Sequence, residues 1–255
     1  MLDKSDMLNS DKSKESPSLE ESHATRRKLI KSSPFLLLLA NRPSFATGTC
    51  SISGFMSVQL GTSLTTYNGD LCNGWSPGNW KKNRGQITHN AWDQAGVSPA
   101  TSFSTLFNSS TLNASGGIRE VVNGTLGNYV SYTSGISYSM QQVLEGAVSG
   151  SNDASSIVKH AAATFLNAAF LANGGGGTRP DPWMLNYISI TDVVGLYLMY
   201  EMTFLASPAP ANGVTYAVER NGAIIAESKI MTTSDYKSFF ESMSDGSGSR
   251  TWQKG

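Results

Sequence analysis

The groups able to do chemistry in this sequence are scattered carboxylates, a few histidines, two cysteines and a cluster of indoles. Asp93, Glu120, Glu145, Asp153, Asp181, Asp192 and Glu201 could furnish the two positioned carboxyls that a glycosidase needs, and no fixed spacing would announce such a pair. No Gly-x-Ser-x-Gly elbow and no His-Glu-x-x-His pair occurs, so the familiar hydrolase signatures are missing. His160 follows Lys159 in an alanine-rich run and reads as structural, because a general base needs an orienting partner that the sequence does not supply. No catalytic residue, cofactor or metal is expected. Cys50 and Cys72, with His89 and His160, match no zinc-ligand spacing.

The stretch "CNGWSPGNWKKN", residues 72–83, concentrates the remaining candidates. Ser76-Pro77-Gly78-Asn79 reads as a turn, with proline presetting φ and glycine accepting a positive one. Such a turn brings Trp75 and Trp80 together, with Trp92 close in sequence. The three indoles form either a small packed cluster or an exposed stacking platform for sugar rings. Burial is expected at Trp80, and the position of Trp75 stays open. Lys81 and Lys82 are then a solvated rim.

These residues follow an N-terminal leader. A polar stretch runs into "TRRKLIKSSPFLLLLANRPSFA", where Arg26 and Arg27 precede an apolar run far shorter than the ~20 residues of a membrane span. It reads as a twin-arginine export signal over residues 1–46, cleaved after Ala46, with Arg42 discouraging the general secretory route. Eight of the 19 basic and six of the 19 acidic residues lie in this leader, so the exported part carries a net charge of −2 and lacks the basic surplus that nucleic acid demands. In an oxidising compartment the two cysteines are expected to close as one disulfide, stabilising the fold by about 3 kcal/mol in the chain-entropy view.

The exported part, residues 47–245, is long enough for a single domain with a sizeable core. Its expected class is α+β: a strand-and-loop part with the disulfide over 47–137, helices over 138–206, a hairpin plus helix over 213–245, and a flexible tail over 246–255. One or two strands are expected within 51–66. "YSMQQVLEGAV" reads as a short helix, and "SSIVKHAAATFLNAAFLAN" as a longer one capped at Asp153 or Ser155 and stopped at Gly174. The run from Ser189 to Ala206 is apolar on nearly every face and reads as a buried core helix. "NGGGGTRPDP", residues 173–182, is a helix stop and loop, since no Lys-Ser or Lys-Thr follows the glycines. Asn221-Gly222 between alternating strands predicts a type I′ hairpin, and "TSDYKSFFESM" a helix capped at Thr233 or Ser234.

The run from Cys72 to Lys81 resembles the (Ser/Thr)-Pro-Gly-Tyr-Trp-Lys-Asn-His signature of a family of exported bacterial proteins of unknown function. Trp92 with "SPATSFSTLF" and the run "HAAATFLNAAF" from His160 are similar to further family segments, so the resemblance spans residues 26–172. Asn79 stands where the family has an aromatic residue, and Lys82 and Asn83 stand where it has Asn and His. The resemblance implies secretion and the disulfide, and carries no activity with it.

Low charge and abundant Ser, Thr, Asn and Gly, together with the indole cluster, point to a non-catalytic exported protein of adhesion, matrix or surface assembly. Its expected partners are carbohydrate or further copies of itself at the cell surface, besides the export machinery. The alternative is a secreted hydrolase acting on polysaccharide, which rests on the scattered acids alone.

Overall fold

The computed structural model describes residues 74–82, 89–112, 116–175, 187–207, 210–211 and 213–244, all within one compact unit. Arg26, Arg27, Ala46, Cys50, Cys72, Asp181, the strands expected within 51–66 and the tail 246–255 lie outside the described residues. Three short helices come first: α1 (Pro77–Lys82), α2 (His89–Ala95) and α3 (Phe103–Leu106). A hairpin of β1 (Gly116–Val122) and β2 (Thr125–Tyr129) follows. Helices α4 (Met140–Leu144), α5 (Asn152–Ala172) and α6 (Ile190–Phe204) then lead to a second hairpin, β3 (Val214–Arg220) and β4 (Ala223–Glu227), and to α7 (Thr233–Ser244).

The α+β class is present, but its N-terminal part is not strand and loop alone. Within 74–112 the described residues form helices, and the expected Pro-Gly turn is the first turn of α1. Ser76 caps that helix by accepting the Asn79 N–H at 3.2 Å. Pro77 takes the first helical position, where a missing N–H costs nothing and its fixed φ already suits a helix. The turn reading failed because proline presets the same φ for both structures.

The longer helices have explicit boundaries. Ser151 caps α5 through the Ala154 N–H. At the other end Gly174 donates to Leu171 and Gly175 to Phe170, which is the Schellman closure of a helix end. Ser189 caps α6 through the Asp192 N–H. Ser139 and Gln142 form a reciprocal capping box on α4. Thr232 and Asp235 exchange the equivalent bonds at α7, one residue before the expected cap.

The four strands form one antiparallel sheet in the order β2-β1-β3-β4. Both hairpins turn on Asn-Gly with positive φ at both positions, 50° and 80° at Asn123-Gly124 and 51° and 74° at Asn221-Gly222, as a type I′ turn requires. The central pairing runs from Gly116 opposite Arg220 to Val122 opposite Val214, joining segments about a hundred residues apart.

Helix α6 packs on this sheet through β1 and β3 and against α5 on its other side. Both of its faces are therefore covered, and every residue from Asp192 to Met202 is buried. Gly195 sets the approach to the sheet, since a Cβ there would lie 2.9 Å from a Val218 methyl. Helix α5 is the hub of the other layer and contacts α1, α2, α4, α6 and α7; its alanines 161–163 are fully buried. Among the described residues no helix is long and apolar enough to cross a membrane.

Leu198, at the centre of α6, has no exposed surface. Leu198→Asp should unfold the domain, because an unpaired charge in a core costs several kcal/mol, and Leu198→Ala should cost about 2–5 kcal/mol. Urea denaturation followed by circular dichroism checks both; native midpoints would show that the helix is not core.

Candidate functional site

Three places bring polar and aromatic chemistry together, and the first is the indole stretch. Trp75, Trp80 and Trp92 are all buried. The Trp75 and Trp80 rings meet edge to face at 5.3 Å, Trp80 and Trp92 at 5.6 Å, and Trp75 leans on Phe170 of α5 at 5.0 Å. Such pairs contribute about 0.5–1.5 kcal/mol each beyond burial. Pro77 is buried, whereas Gly78 and Lys81 are exposed at the surface. With its indoles inside, the stretch presents no ring face to a ligand.

The residue that organises this cluster is Asn167 of α5, which sequence reasoning missed. Its Oδ1 accepts the Trp75 N–H at 3.1 Å and the Trp80 Nε1–H at 3.0 Å. Its Nδ2 donates to the Trp75 carbonyl at 3.0 Å and to the Tyr187 hydroxyl at 3.2 Å. All four of its hydrogen-bonding positions are thus filled. The Tyr187 hydroxyl donates in turn to the Met243 carbonyl, which also accepts the Gly74 N–H at 3.0 Å. A Cβ on Gly74 would lie 2.3 Å from Asn167 Nδ2, so only glycine lets the chain approach. The available signal was a lone Asn in the apolar run "FLNAAF".

The second place is Glu201 on α6, which is only 4% exposed. Its Oε1 accepts the Gly135 N–H at 2.6 Å and the Tyr132 hydroxyl at 3.4 Å. Its Oε2 and the neighbouring Tyr197 hydroxyl are buried without a hydrogen-bond partner among the described residues. No ion pair among the described residues reaches the carboxylate. Its visible task is to hold the loop around residue 135 against α6.

Most of the other acids among the described residues have partners of their own. Asp192 pairs with Arg220, Asp153 with Lys237 and Glu219 with Arg119. Glu145 accepts from Gln141, Glu120 lies half-buried on β1 and Asp93 is exposed. Asp192 and Glu201 share a helix nine positions apart, which is about 13.5 Å of rise, beyond the roughly 5–9.5 Å between the carboxyls of a glycosidase. His160 bonds Ser244 through Nδ1 at 2.8 Å and ties α5 to α7.

The third feature is a set of buried and half-buried phenols. Burial, helped by the Glu201 charge, pushes Tyr132 up to about 12, and burial with Asp153 and Glu201 nearby does the same at Tyr200. Tyr197 and Tyr236 are also raised, chiefly by burial. The unfolded chain ionises its tyrosines near pH 10, so the neutral phenols stabilise the fold fully below that pH. That stability is lost as pH climbs from 10 toward 12.

Two outcomes follow. Trp80→Ala should lower stability by about 3–5 kcal/mol, and Asn167→Ala by about 1–3 kcal/mol for each group it orphans; both should red-shift the tryptophan emission, and unchanged melting curves would contradict the packing. Alkaline titration should unfold the protein cooperatively above pH 10, with tyrosinate absorbance rising in the same transition; gradual ionisation in an intact fold would contradict the burial of these phenols. No family model, curated protein or solved structure matches this chain, so these residue roles stand on geometry alone.

Proposed function

We propose that this is an exported, non-catalytic protein that works by contact, in adhesion, matrix or surface assembly. The observation that supports this reading is the uncharged span from Val121 to Leu144. It holds the whole edge strand β2 and three of the six exposed large apolar side chains among the described residues: Val122 at 42%, Tyr129 at 58% and Tyr138 at 38%. Edge strands are ordinarily guarded by charged residues, proline or a bulge; β2 has a bulge opposite Arg119 to Val121 but carries no charge and no proline. A neutral, partly apolar edge favours association with a neutral surface or with another copy. The carboxylates of the described residues are, by contrast, largely engaged in internal bonds, which favours contact over hydrolysis. Export rests on Arg26 and Arg27, and the compartment beyond the inner membrane suits a Cys50–Cys72 bridge.

Exchanging both arginines for lysine, Arg26→Lys with Arg27→Lys, should hold the precursor in the cytoplasm. Wild-type protein should fractionate with the cell surface or the medium, as filaments or matrix under negative stain. Export that survives the double exchange sinks the twin-arginine reading, and a wild-type protein confined to the cytosol sinks the surface role.

A further inference from the structure

The face of the sheet turned away from α6 carries an aromatic seat. Val218 meets Gly195 of α6, and Arg220 pairs with Asp192 of the same helix. Their alternate neighbours Ala217 and Glu219 therefore point the other way. Across the ladder Gly117 stands opposite Glu219, Arg119 opposite Ala217, and Tyr129 opposite Arg119. A Cβ on Gly117 would come within 2.9 Å of Tyr129 Cδ1, so the Tyr129 ring rests on the bare backbone at Gly117. The Tyr129 hydroxyl donates to Glu219 Oε1 at 3.0 Å, and the Arg119 guanidinium carbon lies 4.9 Å from the ring centroid. Arg119 is itself held by Glu219 Oε2 at 3.0 Å and by the Gly127 carbonyl. The ring is fixed on three sides, yet the residue remains 58% exposed.

We propose that the face of Tyr129 left open opposite the Arg119 guanidinium, with Glu219 at its hydroxyl end, is a binding platform for the sugar rings of a neutral polysaccharide. The proposal rests on the contact reading above and names the ligand class of that surface. A sugar ring offers a flat C–H face to an aromatic ring and hydroxyls at its rim, which suits an apolar ring with a polar border. The carboxylate and guanidinium are already paired with each other, so the platform offers no net charge to attract an anion or a cation and favours a neutral ligand. Because the ring is already immobilised, little ordering opposes binding. A single platform binds weakly, and a repeating polymer compensates by offering many sites to adjacent copies of the protein.

Affinity electrophoresis of the purified protein in native gels containing β-glucan, mannan or dextran tests this, with anionic alginate as the charge control. Wild-type protein should be retarded by at least one neutral polymer and not by alginate alone. Tyr129→Ala should weaken that retardation at least about tenfold, as loss of one stacking contact implies, with an unchanged melting curve. Tyr129→Trp should retain it. Tyr129→Thr, which keeps the strand propensity, replaces the alanine variant if that variant unfolds. Wild-type migration unaltered by all three neutral polymers overturns the platform, as does retardation that survives loss of the ring, or binding found only toward protein. A protein found at the cell surface but not retarded removes the platform and leaves the contact role; one retarded but cytosolic does the reverse.

Discussion

The structure depends on one buried amide. Asn167 sits inside α5 with no exposed surface, where any open donor or acceptor would cost about 1–3 kcal/mol. Its bonds to both backbone groups of Trp75 make the segment before α1 behave as though paired to a strand. A one-residue shift of that segment would break both bonds at once and drive a side chain into the space that Gly74 leaves empty. The same amide holds Tyr187, and through it the end of α7. Four stretches distant in sequence are thereby aligned by a group whose net contribution to stability is modest and whose mispairing is expensive.

Helix α6 uses its acids in a related way. Hydrophobic burial alone leaves a helix that is apolar all round free to rotate and slide between two layers. Asp192 near its start reaches Arg220 on the sheet, and Glu201 near its end holds the Gly135 amide. The two anchors lie on separate turns and bind separate segments, so together they fix both rotation and axial position. Burying carboxylates is a poor route to stability; here each one sets alignment that methyl groups cannot specify.

Much of the helical half was legible from sequence. The apolar period of α5 and the unbroken apolar run of α6 are local signals, and each element formed within a few residues of its expected bounds, although Ser151 caps α5 in place of the expected Asp153 or Ser155. The Asn221-Gly222 hairpin was equally local, and the same dipeptide at Asn123-Gly124 marks the hairpin that was not anticipated. That hairpin was lost because Thr125 to Tyr129 alternate weakly and contain a bulge opposite Arg119 to Val121. The Pro-Gly stretch failed for a different reason: its residues satisfy a turn and a helix start equally, and only the Ser76 cap decides. Neither the Asn167 bonds nor the Tyr129 seat was legible, because each joins residues some ninety or a hundred positions apart.

The division of labour between the layers bears on where the proposed contact would take place. In the helical layer the indoles and Asn167 are committed to one another and His160 to Ser244, and a ligand reaching the indoles would have to open the core. The outer sheet face is built differently. Its ring, guanidinium and carboxylate are held by short-range bonds across neighbouring strands, on the side of the ladder away from α6. A partner can therefore press on Tyr129 without disturbing the packing that keeps the sheet in place. The helices packed behind α6 support the sheet, and the neutral edge of β2 supplies the approach, so the proposed recognition at this face asks for little rearrangement of the fold.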